Sequence, residues 1–413
     1  MRFIDRIKKH RIGLCTLLLL LLDILLRAPK GFSGWASTWY ALDYSIGSGS
    51  RLLAGSILHL LAGEYITESA AVKFVKASCI LTAILFAWLM DEVYRRTEKE
   101  GKAGALLLVA LATAGPFSPR YLWDEVNFGR LDLYLLMALT AALILLFYIK
   151  KPVLRCLVVL LFSAGALFVH QIYIFIFFPV LLAVLLTDCF SGEKPEKKTL
   201  LSAILCVFLV GGCFLYVQLF SSMNAGSAEE LEGILSQRTE LAISHSALDF
   251  EYFHDFFYGF ENHTKPFLQD RTVIPLLFIT LLLLIPAAAV YREVYRGMRI
   301  ALREEGERRF LTVVPYLPLL LLCYLPPFVL TVDWDRWVGA MFLSTAMTLL
   351  VLNAMGDPYA KEGVTALSAD IATRPVPFLG GLLYLVMLTP LQTRMFIPEA
   401  YAVLAFFRKL LSF

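Results

Sequence analysis

The sequence predicts an all-α fold, a polytopic transmembrane helical bundle of about eleven spans that forms a single integral membrane domain over residues 1–413. Three observations predict it. Apolar residues make up 59% of the chain and charged residues only 17%, against about half and about a quarter in soluble domains. Mean hydropathy is +0.70. The apolar residues are gathered into runs, and a bilayer core of ~30 Å takes about 20 helical residues to cross. Between the runs, no polar stretch is long enough for a separate soluble domain.

The spans fall at 12–28, 70–90, 103–117, 131–149, 154–170, 172–188, 199–220, 272–291, 310–330, 337–354 and 376–392. With the N-terminus in the cytoplasm, the segments 1–11, 91–102, 150–155, 191–199, 291–309 and 354–375 lie inside. They carry 23 of the 37 Lys and Arg residues, as the positive-inside rule asks. This places the chain in the plasma membrane as a multi-pass protein. The opening MRFIDRIKKHR and its apolar run have the outline of a signal peptide. Arg27 and Pro29 stand where a cleavage site belongs, so the run reads as an uncleaved first helix. The seven cysteines lie in or beside apolar runs and read as small core residues, not as disulfides or zinc ligands.

The first outer loop, 28–69, starts with APKGFSGWASTWYALDYSIGSGSR. It is rich in glycine and aromatics and holds one carboxylate, Asp43, and a closing Arg51. RLLAGSILHLLAGEYIT is too short to span and reads as an interfacial or re-entrant helix. Just before the loop, Asp23 and Arg27 have the spacing of an i,i+4 ion pair. Two prolines end the third span, and Arg120, Asp124, Glu125, Arg130 and Asp132 follow closely. A tight hairpin puts His170 and Gln171 at the next outer turn.

The long outer loop, 221–271, reads as a helix from Ala228, with acids that suit its N-terminal dipole, and turns aromatic from Leu248. His245, His254 and His263 are spaced too widely for a helical metal site. The double proline at 326–327 breaks its helix and delivers Asp333, Asp335 and Arg336, flanked by Trp334 and Trp337, to the outer rim. The tail EAYAVLAFFRKLLSF is amphipathic and reads as interfacial. The sequence displays no internal repeat.

The span centres are nearly free of charge, which speaks against an ion-coupled transporter or a channel. Five polar clusters fall on one face, which points to a cavity at the outer interface. A donor reaching such a cavity would come attached to lipid. An isoprenoid phosphate would need an apolar groove for its tail, an arginine fork for its phosphate and a carboxylate to activate the acceptor hydroxyl.

The inside N-terminus, the early acid of the first outer loop and the interfacial helix after it resemble the GT-C superfamily of lipid-linked glycosyltransferases. The stretches LDYSIGSGSRLLAGSIL and VDWDRW resemble segments of bacterial envelope-polysaccharide membrane proteins, polymerase-like ones among them. The resemblance implies inverting sugar transfer from a polyprenyl-phosphate-linked donor or lipid-linked glycan to a glycan or lipid acceptor. It implies Asp43 as catalytic base and Arg51, Arg130 and Arg336 as phosphate ligands. Asp124, Glu125, Asp132, His170, Gln171, Asp333 and Asp335 would hold sugar hydroxyls or a divalent cation, the one cofactor left open. The partners are membrane lipids and these substrates, not nucleic acid. A lipid-linked oligosaccharide flippase, a polysaccharide polymerase, an acyl- or phospho-transferase and a scaffold stay open as alternatives. Each residue also has a plainer role, since the same acids and arginines can form a rim network that fixes helix packing.

Overall fold

The computed structural model describes residues 8–115, 118–124, 127–190, 197–254, 258, 260–271, 273–305, 323, 325–330 and 333–387. Along the chain run α1 (Arg11–Arg27), α2 (Gly34–Ala41), α3 (Leu53–Ala62), α4 (Glu68–Arg96), α5 (Lys102–Ala114), α6 (Asp132–Tyr148), α7 (Pro152–Val169) and α8 (Phe178–Phe190). They are followed by α9 (Lys197–Phe220), α10 (Ala228–Ser236), α11 (Val273–Leu283), α12 (Ile285–Glu305), α13 (Trp334–Met355), α14 (Pro358–Thr373) and α15 (Pro375–Met387), with shorter helical turns between.

The chain is all-α and fits a helical membrane protein, but the expected count of eleven spans needs correction. Among the described residues, five segments are long and apolar enough to cross a membrane: 68–96, 99–123, 152–169, 197–220 and 336–355. The apolar helices α6, α8 and α15 are shorter, at 10–17 residues. Prolines account for part of this. Pro152 opens α7 soon after α6 ends, and Phe177 interrupts the expected 172–188 span just before Pro179, which has no N–H to donate. Most of the expected 310–330 span and the C-terminal tail lie outside the described residues.

Two expected cytoplasmic loops are helical. The basic block after 291 continues inside α12, whose Ala287, Val290, Val294 and Met298 are buried on one face against α14. The 354–375 segment forms α14. Asp357 caps it, accepting from the amides of Tyr359 at 3.1 Å and Ala360 at 2.8 Å, with Pro358 at its first position. A search for spans alone passes over this polar, well-capped start.

α4 and α13 lie at the centre. α4 packs on α1, α6 and α13, while α13 also meets α5, α8 and α14. At the periphery, α1 and α9 expose large apolar side chains, among them Leu18, Leu25, Leu201 and Phe208. Contiguous apolar faces of this kind suit lipid rather than water.

The first loop and the 221–271 segment are stitched together. A ladder pairs β1 (Gly47–Ser48) antiparallel to β2 (Ser222–Met223), with Gly47 opposite Met223. A second bridge joins Ile66 to Thr239. Gly49 has φ +133°, and a Cβ there would sit 2.1 Å from Ser221 Oγ, so this close crossing demands glycine.

Candidate functional site

A cavity of about 400 Å³ opens where the helix ends and the two long loops converge. Arg51, Arg130, Asp132, His170, Asp333 and Arg336 line it, with Trp35, Trp39, Phe250 and Trp337 as aromatic walls. It draws residues from four of the five clusters read in the sequence; the histidines and acids of 245–265 are not in its lining, to which that stretch gives Ser246, Phe250 and Thr264 instead.

The centre of the site is an ion-pair chain between helix starts. Asp132 is the first residue of α6 and only 1% exposed. Its Oδ2 accepts from Nε of Arg336, in the first turn of α13, at 3.1 Å, and also from Arg336 Nη2. Arg336 Nη1 donates to Asp333 Oδ2 at 2.7 Å, and Arg130 Nη1 lies 3.7 Å from Asp333 Oδ1. Arg336 also stacks over the Trp337 ring, 4.8 Å from its centroid. Asp333 is 37% exposed. Partial desolvation acts to raise its pKa, but the guanidinia of Arg336, Arg130 and Arg51 outweigh this and hold it below the ordinary carboxylate range.

Arg51 approaches from the first loop in a strained backbone, with φ +67°. Its amide donates to the carbonyls of Phe168 at 3.0 Å and Val169 at 3.2 Å, which ties the turn to the end of α7. Its guanidinium pairs with Glu251 at 3.0 Å and lies 4.6 Å from the Trp39 ring centroid. Gln171 is not in the cavity wall. It donates from Nε2 to Glu251 at 3.1 Å and so holds the anchor of Arg51. Tyr252 adds a hydrogen bond from its hydroxyl to the Ser50 carbonyl at 3.1 Å.

His170 caps α7. The amide of Ile172 donates to its Nδ1 at 3.3 Å, so a neutral ring carries its proton on Nε2. Desolvation, then the positive charge of Arg51 and Arg336, pushes its pKa well below the ordinary histidine range.

Among the described residues, two polar atoms on this wall are buried without a hydrogen-bond partner: Nε of Arg51, a donor, and Oδ1 of Asp132, an acceptor. Such atoms cost on the order of 1–3 kcal/mol each when unsatisfied. A ligand presenting both an acceptor and a donor would relieve both.

Asp43 and Asp124 lie outside the cavity lining. Asp43 is 4% exposed. Its Oδ2 takes Arg238 Nη2 at 2.6 Å and lies 3.4 Å from His59 Nε2, while Oδ1 takes the Ser45 amide at 2.7 Å and the Ser45 hydroxyl. Burial acts to raise its pKa, but the Ser45 and Arg238 bonds outweigh that and hold it low. Asp124 closes a turn by accepting from the Asn127 amide at 2.9 Å. Glu125 lies outside the described residues, as does the side chain of Asp335. Arg120 reaches back to Asp23 at 2.6 Å, and Trp123 Nε1 donates to the same carboxylate at 2.8 Å. The expected Arg27 partner is the longer contact, at 3.5 Å. Among the described residues, no group of three or more His, Cys, Asp or Glu is arranged for a metal ion.

Four contributors were not singled out from the sequence. Trp35 and Trp39 stand one turn apart on α2, a spacing that marks a shared face. Glu251 is hidden in an aromatic run. Arg238 has no local signal at all, since its partner lies 195 residues away.

Compared with protein-family models, curated proteins and solved structures, the chain matches none.

Proposed function

We propose that the protein is a GT-C-type membrane glycosyltransferase that moves a sugar from a polyprenyl-phosphate-linked donor to a glycan or lipid acceptor. In this reading it works at the outer face of a bacterial plasma membrane, in envelope glycan or glycolipid synthesis. The observation that carries the reading is the cavity itself, where three arginines and two aspartates meet under aromatic walls at the ends of apolar helices.

Each part has a task. The guanidinia of Arg51, Arg130 and Arg336 bind phosphate oxygens and stabilise the negative charge that grows on the leaving phosphate. The Nε–H of Arg51 is the donor still without a partner. The indoles of Trp35, Trp39 and Trp337 offer flat apolar faces to a sugar ring or to the first isoprene units. His170, with its proton on Nε2, donates to a sugar hydroxyl, and Asp333 accepts from one.

The test uses the full chain in liposomes and polyprenyl monophosphate as probe. Saturable quenching of tryptophan fluorescence is expected, weakened at least about tenfold in Arg51→Ala and Arg130→Ala, since a charge-assisted bond contributes about 1.5–3 kcal/mol. Supplied with polyprenyl-phosphate hexoses and oligosaccharide acceptors, the protein should extend the acceptor. Movement of the intact lipid-linked sugar across the bilayer without transfer would replace this reading with a flippase.

A further inference from the structure

We propose that Asp132, not Asp43, is the general base of this site. The inference rests on the transferase reading and assigns its proton acceptor. Three aspartates among the described residues compete for the role, and their oxygens differ. Asp43 has both engaged, Oδ1 by Ser45 and Oδ2 by Arg238 and His59. Asp333 has both engaged, by Arg336 and Arg130. Asp132 lines the cavity, gives Oδ2 to Arg336 and leaves Oδ1 buried without a donor among the described residues. His170 is excluded as a base because its lone-pair nitrogen is already taken by the Ile172 amide.

Nε and Nη2 of Arg336 both bind Oδ2 of Asp132, so the fork anchors that one oxygen and engages neither lone pair of Oδ1. In the step, a lone pair of the acceptor hydroxyl forms the new bond to the sugar C1 while the C1–O bond to phosphate breaks. The hydroxyl proton passes to Asp132 Oδ1, and the electron pair of the broken bond leaves on polyprenyl phosphate, held by the arginines. The proton then returns to solvent. Besides binding phosphate, Arg336 positions Asp132 through Oδ2.

The experiment compares Asp132→Asn, Asp132→Glu and Asp43→Asn in the full chain in liposomes, with polyprenyl monophosphate binding and sugar transfer measured on the same samples. Asp132→Asn should bind the probe within about threefold of wild type and lose transfer by about 10²–10⁴-fold, the usual contribution of a general base. Asp132→Glu keeps the charge that Arg336 needs. It should stay folded and recover part of the transfer. Asp43→Asn should keep its transfer rate per folded molecule within a few-fold. Transfer by Asp132→Asn near the wild-type rate, or no recovery of transfer in folded, probe-binding Asp132→Glu, would overturn the assignment. So would loss of transfer in folded, probe-binding Asp43→Asn. A wild-type protein that binds the probe and transfers nothing would instead remove the transferase reading.

Discussion

The Asp43–Arg238 pair ties the first loop to the segment after α10, and its removal should cost stability rather than chemistry. Asp43 is almost fully buried, and Arg238 Nη2 reaches it at 2.6 Å. The same guanidinium sends Nη1 to the Ser45 hydroxyl at 3.1 Å. Just beyond, the backbone of 238–240 bonds to both sides of Ile66. A hydrogen bond between charged groups contributes about 1.5–3 kcal/mol, and Arg238 keeps a quarter of its side chain in solvent, so a value near 2 kcal/mol is expected for Asp43→Asn. Arg238→Gln should cost about as much, and the double variant only slightly more, a coupling of about 1–2 kcal/mol for residues in direct contact. Equilibrium unfolding in mixed micelles, followed by tryptophan fluorescence, gives all three values. Strict additivity of the two single changes would refute the pairing. Unchanged stability of Asp43→Asn with lost sugar transfer would return the acid to the chemistry.

Three further outcomes follow from the geometry. A Cβ on Gly55 would lie 1.9 Å from the Leu42 carbonyl, so Gly55→Ala should push α3 away from α2 and cost at least about 2 kcal/mol in the same unfolding assay. His170 stays neutral in the folded chain at pH values where the unfolded chain is protonated. The unfolded state then binds more protons, so stability should fall as pH drops below about 6.5 and level off below the folded pKa. In His170→Gln that slope should vanish from the pH dependence of the unfolding midpoint. Phe208 on α9 is 74% exposed and Val210 is fully buried. A nitroxide at 208 in liposomes should relax faster with oxygen than with a water-soluble nickel chelate, whereas one at 210 should be immobile and shielded from both.

Part of the site can be read directly along the chain. Arg51, Arg130, Asp132, His170, Asp333 and Arg336 are ionisable residues next to the ends of apolar runs, and all of them line the cavity. Asp43 has the same local character, yet its carboxylate is spent on Arg238, Ser45 and His59. Nothing near position 43 distinguishes it from Asp132. The difference lies in which guanidinium arrives and how many oxygens it occupies.

Hydropathy, charge spacing and proline positions are local properties, so the sequence by itself determined the helical membrane class and the polar character of the helix ends. It also marked the stretch of α3 as helical. Span number was less secure, because a hydropathy window joins helices that a single residue such as Phe177 separates and passes over a capped polar helix such as α14. Only the tertiary structure decided which charges meet. Asp132 and Arg336 are 204 residues apart, and Arg51 and Glu251 also come from separate loops. Ion pairing depends on distance and burial in space. Those are set when the whole bundle packs, and no stretch of sequence carries them alone.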